Sequence, residues 1–148
     1  MIGKLDEDQI ADVLRSEVLG RIGCIVDGRP YVVPIMYVYD AENDDVYAHT
    51  TDGMKTRAMR ANAKVCFEVE QVRDMANWRS VIAFGEYEEL GADRTEYAME
   101  LLTRRLTAPP PRVAPHDRHE TAHRSAGIAR TVLFRVHFTE KTGRYEIG

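Results

Sequence analysis

"YAHTTDGMKTRAMRANAKVCFEVE", residues 47–70, reads as the end of a strand, a tight turn, a short helix and a second strand. The strand is "VYAHT", the helix "GMKTRAMRAN" ends at Asn62, and the chain continues into a strand "KVCFEVEQV". A helix start carries unpaired N–H groups and a partial positive charge, so acidic side chains belong there. Lys55 and Arg57 occupy that first turn instead. With the hydroxyls of Thr50 and Thr51 ahead of a glycine that permits a tight turn, these are the parts of a phosphate cradle. The plain alternative is a surface helix with solvated cations, since a cation there is disfavoured by only about 0.3–1 kcal/mol. A nucleotide P-loop is excluded, because "DGMKT" lacks both the preceding glycine and the Gly-Lys-Ser/Thr tripeptide.

Upstream, "RIGCIVDGRPYVVPIMYVYD" forms two β-rich segments around Asp27-Gly28, a dipeptide suited to a two-residue hairpin turn. Pro34 has no N–H to give to a ladder, so it belongs at an edge, at a bulge, or where a ligand lies along the backbone. Before this hairpin, Asp6 is a good N-cap, Ile10, Val13, Leu14 and Val18 follow helical spacing, and Gly20 is the expected C-cap.

Downstream, "WRSVIAFGEYEEL" is a long strand with Gly85 at a bend or bulge. Asp93 and Glu96 then read as an aspartate capping box, and Tyr97, Leu101, Leu102 and Leu106 as a helical stripe ended by "APPPRVAP". In "TVLFRVHFTE", Val132, Phe134, Val136 and Phe138 alternate as on a strand with one buried side. Antiparallel connections of these lengths suggest a closed barrel: a mainly β fold, a β-barrel with flanking helices, in one domain over residues 1–148.

An apolar fraction of 44% with 30% charged residues indicates a soluble globular chain, and a net charge of −4 without basic blocks argues against a nucleic-acid partner. No signal core opens the chain, and the longest near-apolar run, "YVVPIMYVY", is too short to span a bilayer, so no membrane association and a cytoplasmic location are expected. Cys24 and Cys66 sit in apolar runs and read as packed thiols in a reducing compartment. "HETAH", residues 119–123, fits HExxH, which on a helix would place His119 and His123 on zinc with Glu120 as base. Its polar flanks, the preceding "PPPRVAP" and the lack of an identifiable third ligand favour an exposed segment in which His116, His119 and His123 are incidentally close, and no metal site is assigned.

Taken together, "GRPYVVPIMYVYD", "VYAHTTDGMKTRAMRANAKVCFEVE" and "WRSVIAFGEYEEL" resemble the FMN-binding split barrels related to pyridoxamine 5'-phosphate oxidase, in particular their nitroimidazole-resistance-like branch, over residues 18–90. The resemblance implies a homodimer of side-by-side barrels with FMN at the subunit interface. It implies oxidoreductase chemistry in which the flavin passes hydride or electrons from a reduced donor to a small-molecule substrate, nitroimidazole-like in that branch. By the same resemblance, Lys55 and the backbone from Gly53 to Thr56 hold the FMN phosphate, with His49 and Thr50 on phosphate or ribityl. Val33, Pro34 and Ile35 lay their backbone along the isoalloxazine edge. Ser80, with Arg79 beside it and Trp78 flanking, reaches the flavin from the second subunit. The chain departs from the oxidase itself in having Met54-Lys55 where that enzyme has an Arg-Lys clamp, and in lacking its C-terminal arginine-bearing substrate segment. No side chain is assigned a catalytic role. A deazaflavin or haem in the same fold, and a non-catalytic flavin store or sensor, remain as alternatives.

Overall fold

Asp27 and Gly28 adopt φ angles of 50° and 75°, the positive pair that a tight hairpin turn requires. They join β2 (Leu19–Val26) to β3 (Arg29–Met36) in a register that runs from Val26 opposite Arg29 to Leu19 opposite Met36. The computed structural model describes residues 1–107 and 131–148, so the "HETAH" stretch and all of "APPPRVAP" lie outside the described residues. The remaining elements are β1 (Ile2–Lys4), α1 (Glu7–Ser16), β4 (Val38–Asp40), β5 (Asp45–Thr51), α2 (Met54–Ala61), β6 (Lys64–Asp74), β7 (Asn77–Glu89), α3 (Ala92–Leu106) and β8 (Thr131–Glu146).

The strands pair antiparallel in the order β3-β2-β6-β7-β8-β5-β4, with β1 added along β8. Period-two burial sends Ile22, Phe67, Val69, Val81, Phe134 and Val136 into one core. Helix α1 covers that core with Ile10, Val13 and Leu14, and the Tyr37 hydroxyl ties it down by donating to the Leu14 carbonyl at 2.7 Å. Helix α3 packs Ala98 and Leu102 against Val38 and Tyr47 on the other face of β4 and β5. The expected mainly β barrel with flanking helices is therefore present. The closure expected from the connection lengths is not made by these ladders: among the described residues none joins the end strands β3 and β4, so the barrel is open along that seam. No helix among the described residues is long and apolar enough to cross a membrane.

Pro34 lies on β3, which among the described residues pairs only with β2, an edge position as expected. Gly85 lies at a register shift in the β7–β8 ladder, where an added Cβ would stand 2.4 Å from the His137 carbonyl oxygen. Two helix boundaries differ from the sequence-based expectation. Helix α1 has a full capping box at Asp6 and Gln9 but ends at Ser16, with Glu17 already extended. Gly20 is not its C-cap; it sits within β2, where a Cβ would come 2.4 Å from the Phe67 ring, so close packing of strand on ring is what requires glycine there. For α3 the N-cap is Gly91 without a side-chain bond, and Asp93 lies inside the first turn, so the Asp93–Glu96 capping box is not formed. Strand β8 also runs six residues past Glu140, because β7 and then β1 continue to pair with it.

The outer side of β5 holds a buried ionic cluster. Asp40 and Asp45 face each other across the β4–β5 ladder. Asp45, with no exposed surface, accepts from Arg135 Nη1 at 3.2 Å and meets His137 Nδ1 at 2.7 Å. Asp40 accepts from Asn43 Nδ2 at 2.7 Å and from the Tyr97 hydroxyl of α3 at 3.2 Å. Such partners are what keep a buried carboxylate tolerable.

Candidate functional site

Strand β5 ends at Thr51, and the chain turns through Asp52 and Gly53 into α2. Gly53 is extended, with φ −179° and ψ −150°, so the backbone itself does not demand glycine. A Cβ on Gly53 would meet nothing nearer than the Thr51 carbonyl oxygen at 4.0 Å. The glycine thus leaves open space in front of the first turn, where the leading N–H groups of a helix have no intrahelical acceptor.

Thr56 is fully buried and holds this turn together. Its hydroxyl accepts from the Gly53 N–H at 2.9 Å and donates to Asp52 Oδ1 at 2.7 Å. Its side chain is therefore engaged, and what it offers a ligand is its backbone N–H. Asp52 also accepts from Arg60 Nη1 at 3.0 Å; Arg60 bridges on to Glu89, which takes the Tyr87 hydroxyl at 2.9 Å. An acid thus stands just before α2, and it is matched by Arg60. Lys55 and Arg57 form no ion pair among the described residues. The Lys55 charge is felt at Cys24 of β2, whose thiol burial and the neighbouring Cys66 push up and Lys55 pulls down. Open space, first-turn N–H groups without an intrahelical acceptor and an ammonium with no ion pair among the described residues fit a phosphate monoester.

The other expected contacts are distributed by strand alternation. Thr50 shares the inward face of Val46 and Ala48, whereas His49 is exposed on the opposite face. On β3, Val33 and Ile35 point inward and Pro34 outward, and no strand among the described residues covers the far edge. On β7, Trp78 and Ser80 occupy the outer face and Arg79 the inner one. Arg79 is held by Gln71, whose Oε1 accepts its Nε at 3.0 Å and its Nη2 at 2.6 Å, while Trp78 Nε1 donates to Glu146 at 3.0 Å. Trp78 and Arg79 line a groove of ≈ 490 Å³ that includes neither Lys55 nor Thr50. Within one chain the start of α2 and the Trp78–Arg79 groove are thus separate surfaces.

The outer face of β3, β2, β6 and β7 carries features that were not singled out in the sequence. Leu19, Ile25, Val32, Met36, Ile82 and Phe84 are 44–64% exposed on it. Gly23, Ile25, Val32, Cys66 and Phe84 help to line an apolar groove of ≈ 390 Å³ there. Beside this groove, on the same face, Arg21 meets both Glu68 and Glu70. The signal was present in the alternation of "RIGCIV" and "KVCFEVE", whose outward positions hold Arg21, Glu68 and Glu70, but only strand pairing brings them together.

A family model described as pyridoxamine 5'-phosphate oxidase matches residues 6–145. An uncharacterised protein of Rhizobium meliloti (strain 1021) is 27% identical over 145 residues, which cover 95% of this chain and 92% of that protein. An FAD-binding protein from Mesorhizobium loti superposes with a TM-score of 0.73 at 28% identity, covering 98% of each chain. The FAD-binding protein from Mycobacterium smegmatis gives 0.68 at 26% identity, over 99% of this chain and 100% of that one. A protein described as a 5-nitroimidazole antibiotic resistance protein from Bacteroides thetaiotaomicron shares the fold, with a TM-score of 0.72 at 20% identity over 98% of this chain and 87% of that one.

Proposed function

Because the chain belongs to the pyridoxamine 5'-phosphate oxidase family, we propose that it is a homodimeric FMN-dependent oxidoreductase acting on a small-molecule acceptor. The observation that carries this reading is the start of α2: open space at Gly53, first-turn N–H groups that lack an intrahelical acceptor, and Lys55 with no ion pair among the described residues. Lys55 and the backbone N–H groups of Met54 to Thr56 hold the phosphate, and Thr56 fixes the turn from beneath. Thr50 lies at the inner end of the same strand, within the turn's approach to the ribityl chain, and His49 serves the outer side. The uncovered edge of β3 around Val33, Pro34 and Ile35 receives the ring system. Trp78, Arg79 and Ser80 belong to the partner's cofactor, in keeping with their separation from Lys55 within one protomer.

Bound flavin supplies hydride or single-electron transfer; the protein supplies anchoring, orientation and exclusion of water. The dimer covers the outer face of β3, β2, β6 and β7, where Leu19, Ile25, Val32, Met36, Ile82 and Phe84 stand exposed. The acceptor is a small planar molecule of the nitroimidazole type, in line with the shared fold of a relative described by resistance to such compounds. Two reduced thiols, Cys24 and Cys66, suit the cytoplasm.

FAD is the specific second reading, since two structures at 26–28% identity are described as FAD-binding. The test is reconstitution with FMN and with FAD separately, desalting, a visible spectrum, and mass spectrometry of the released cofactor, followed by reduction with a nicotinamide donor. Stoichiometric FMN that the donor reduces is expected. Retention of FAD alone replaces the cofactor, a bound flavin that no donor reduces makes the protein a carrier, and a colourless protein overturns flavin binding.

A further inference from the structure

We propose that the interface between two copies of this chain is proton-linked, through Glu68 and Glu70 sharing the single Arg21, so that the dimer weakens as the pH rises through neutrality. The inference rests on the homodimer of the preceding section and adds how its association is regulated.

The face in question is the outer side of β3, β2, β6 and β7. An antiparallel sheet with one face on the core ordinarily turns polar residues outward. Here one cross-strand row reads Val32, Gly23, Cys66, Phe84, and the next reads Pro34, Arg21, Glu68, Ile82. The charges among these apolar residues come in both signs. Arg21 stands with Glu68 and Glu70, Lys64 lies opposite Glu86, and β8 contributes Glu140 opposite Phe84 and Arg144 opposite Ser80. A patch with both signs is self-complementary under a two-fold axis, which brings each residue against a different one on the identical surface. A strongly acidic or basic partner would instead call for a single sign. The occupant is therefore a second copy.

At the centre of this face the charges do not balance. Arg21 Nη1 lies 2.7 and 2.6 Å from the two Glu70 oxygens and 3.3 Å from Glu68 Oε1. With both carboxylates ionised, the cluster carries a net negative charge; with one proton it is neutral. Among the described residues its neighbours on β7 are Ile82 and Ser80, Arg144 of β8 is the next charge along the Glu70 row, and Pro34 lies beyond Arg21 on β3. Burial pushes the Glu68 carboxyl up to about 7, the hydrogen bond to Glu70 and that carboxylate's charge add to this, and Arg21 opposes it.

A second copy removes water from the cluster and sets an identical cluster on the same interface, and both effects favour the protonated form. Glu68 therefore holds its proton more tightly in the dimer than in the free copy, and association takes protons up. The associated state is favoured below the range where the free copy's Glu68 titrates and loses that advantage as pH rises through the dimer's higher range.

The experiment is sedimentation velocity over a concentration series at about pH 6 and about pH 8.5, on the full chain and on its Glu68→Gln and Phe84→Asp variants. The expected result is a wild-type dimer whose Kd rises by about tenfold or more between the two, given a limit of about tenfold per pH unit for each proton taken up. Glu68→Gln, neutral at both, should stay tight at both, and Phe84→Asp should be a monomer. A wild-type Kd that does not change with pH, or a dependence that survives in Glu68→Gln, overturns the proton linkage and leaves the dimer standing. A wild-type monomer throughout, or a dimer indifferent to Phe84→Asp, overturns the interface itself.

Discussion

Lys55 is a cation in the first turn of α2 with no ion pair among the described residues, and that position is electrostatically unfavourable unless an anion joins it. Its neighbour in sequence, Thr56, is committed to Gly53 and Asp52, so the two residues divide the work: one shapes the turn, the other provides charge. Lys55→Ala should leave the fold intact and weaken FMN binding by about 1.5–3 kcal/mol, the worth of a charge-assisted contact. Flavin fluorescence quenching on titration measures this directly; an unchanged affinity would remove the phosphate from this turn.

At the scale of elements, the long strands β7 and β8 are the frame on which both the cradle and the outer face depend. Their ladder changes register at Gly85, where an added Cβ would stand 2.4 Å from the His137 carbonyl oxygen and 2.8 Å from Val136 Cγ1. The nearer neighbour is backbone of the paired strand and cannot step aside without breaking the ladder. Gly85→Ala should therefore destabilise the protein by about 1–3 kcal/mol, as overpacking does. Urea unfolding followed by circular dichroism gives the number, and a variant as stable as the parent would show that the bulge has room.

At the scale of the molecule, three of the tyrosines closed into the barrel or beneath α3, Tyr37, Tyr47 and Tyr87, are held above the ordinary tyrosine range, first by burial and then by nearby carboxylates, Glu17 for Tyr37, Asp45 and Asp40 for Tyr47, and Glu89 for Tyr87. The folded chain keeps them neutral while the unfolded chain ionises them near pH 10. Stability is thus undiminished below that pH and falls as the pH rises past it, because the unfolded state sheds its protons first. Thermal unfolding measured at about pH 9 and about pH 11 should show the midpoint drop. Phenolate absorbance from all the tyrosines before any loss of structure would contradict it.

What was legible in the sequence was local. Asp27-Gly28 specifies its turn through two positive φ angles, Asp6 caps α1 within one helical turn, Pro34 is restricted to an edge by its missing N–H, and period-two burial marks the strands. The three segments around these signals were enough to identify the family to which the chain belongs. Tertiary structure decided what depends on distant chain. Gly20 is part of a strand because Phe67 packs onto it, and α3 starts at Gly91 without the side-chain cap that Asp93 and Glu96 suggest. The inward or outward facing of His49, Thr50, Arg79 and Ser80 follows from strand register. Arg21 meets Glu68 and Glu70 across 47 and 49 residues of chain. Turns, caps and periodicity are set by neighbours in sequence, whereas ion clusters and exposed faces exist only once strands have paired, and pairing is a property of the whole sheet.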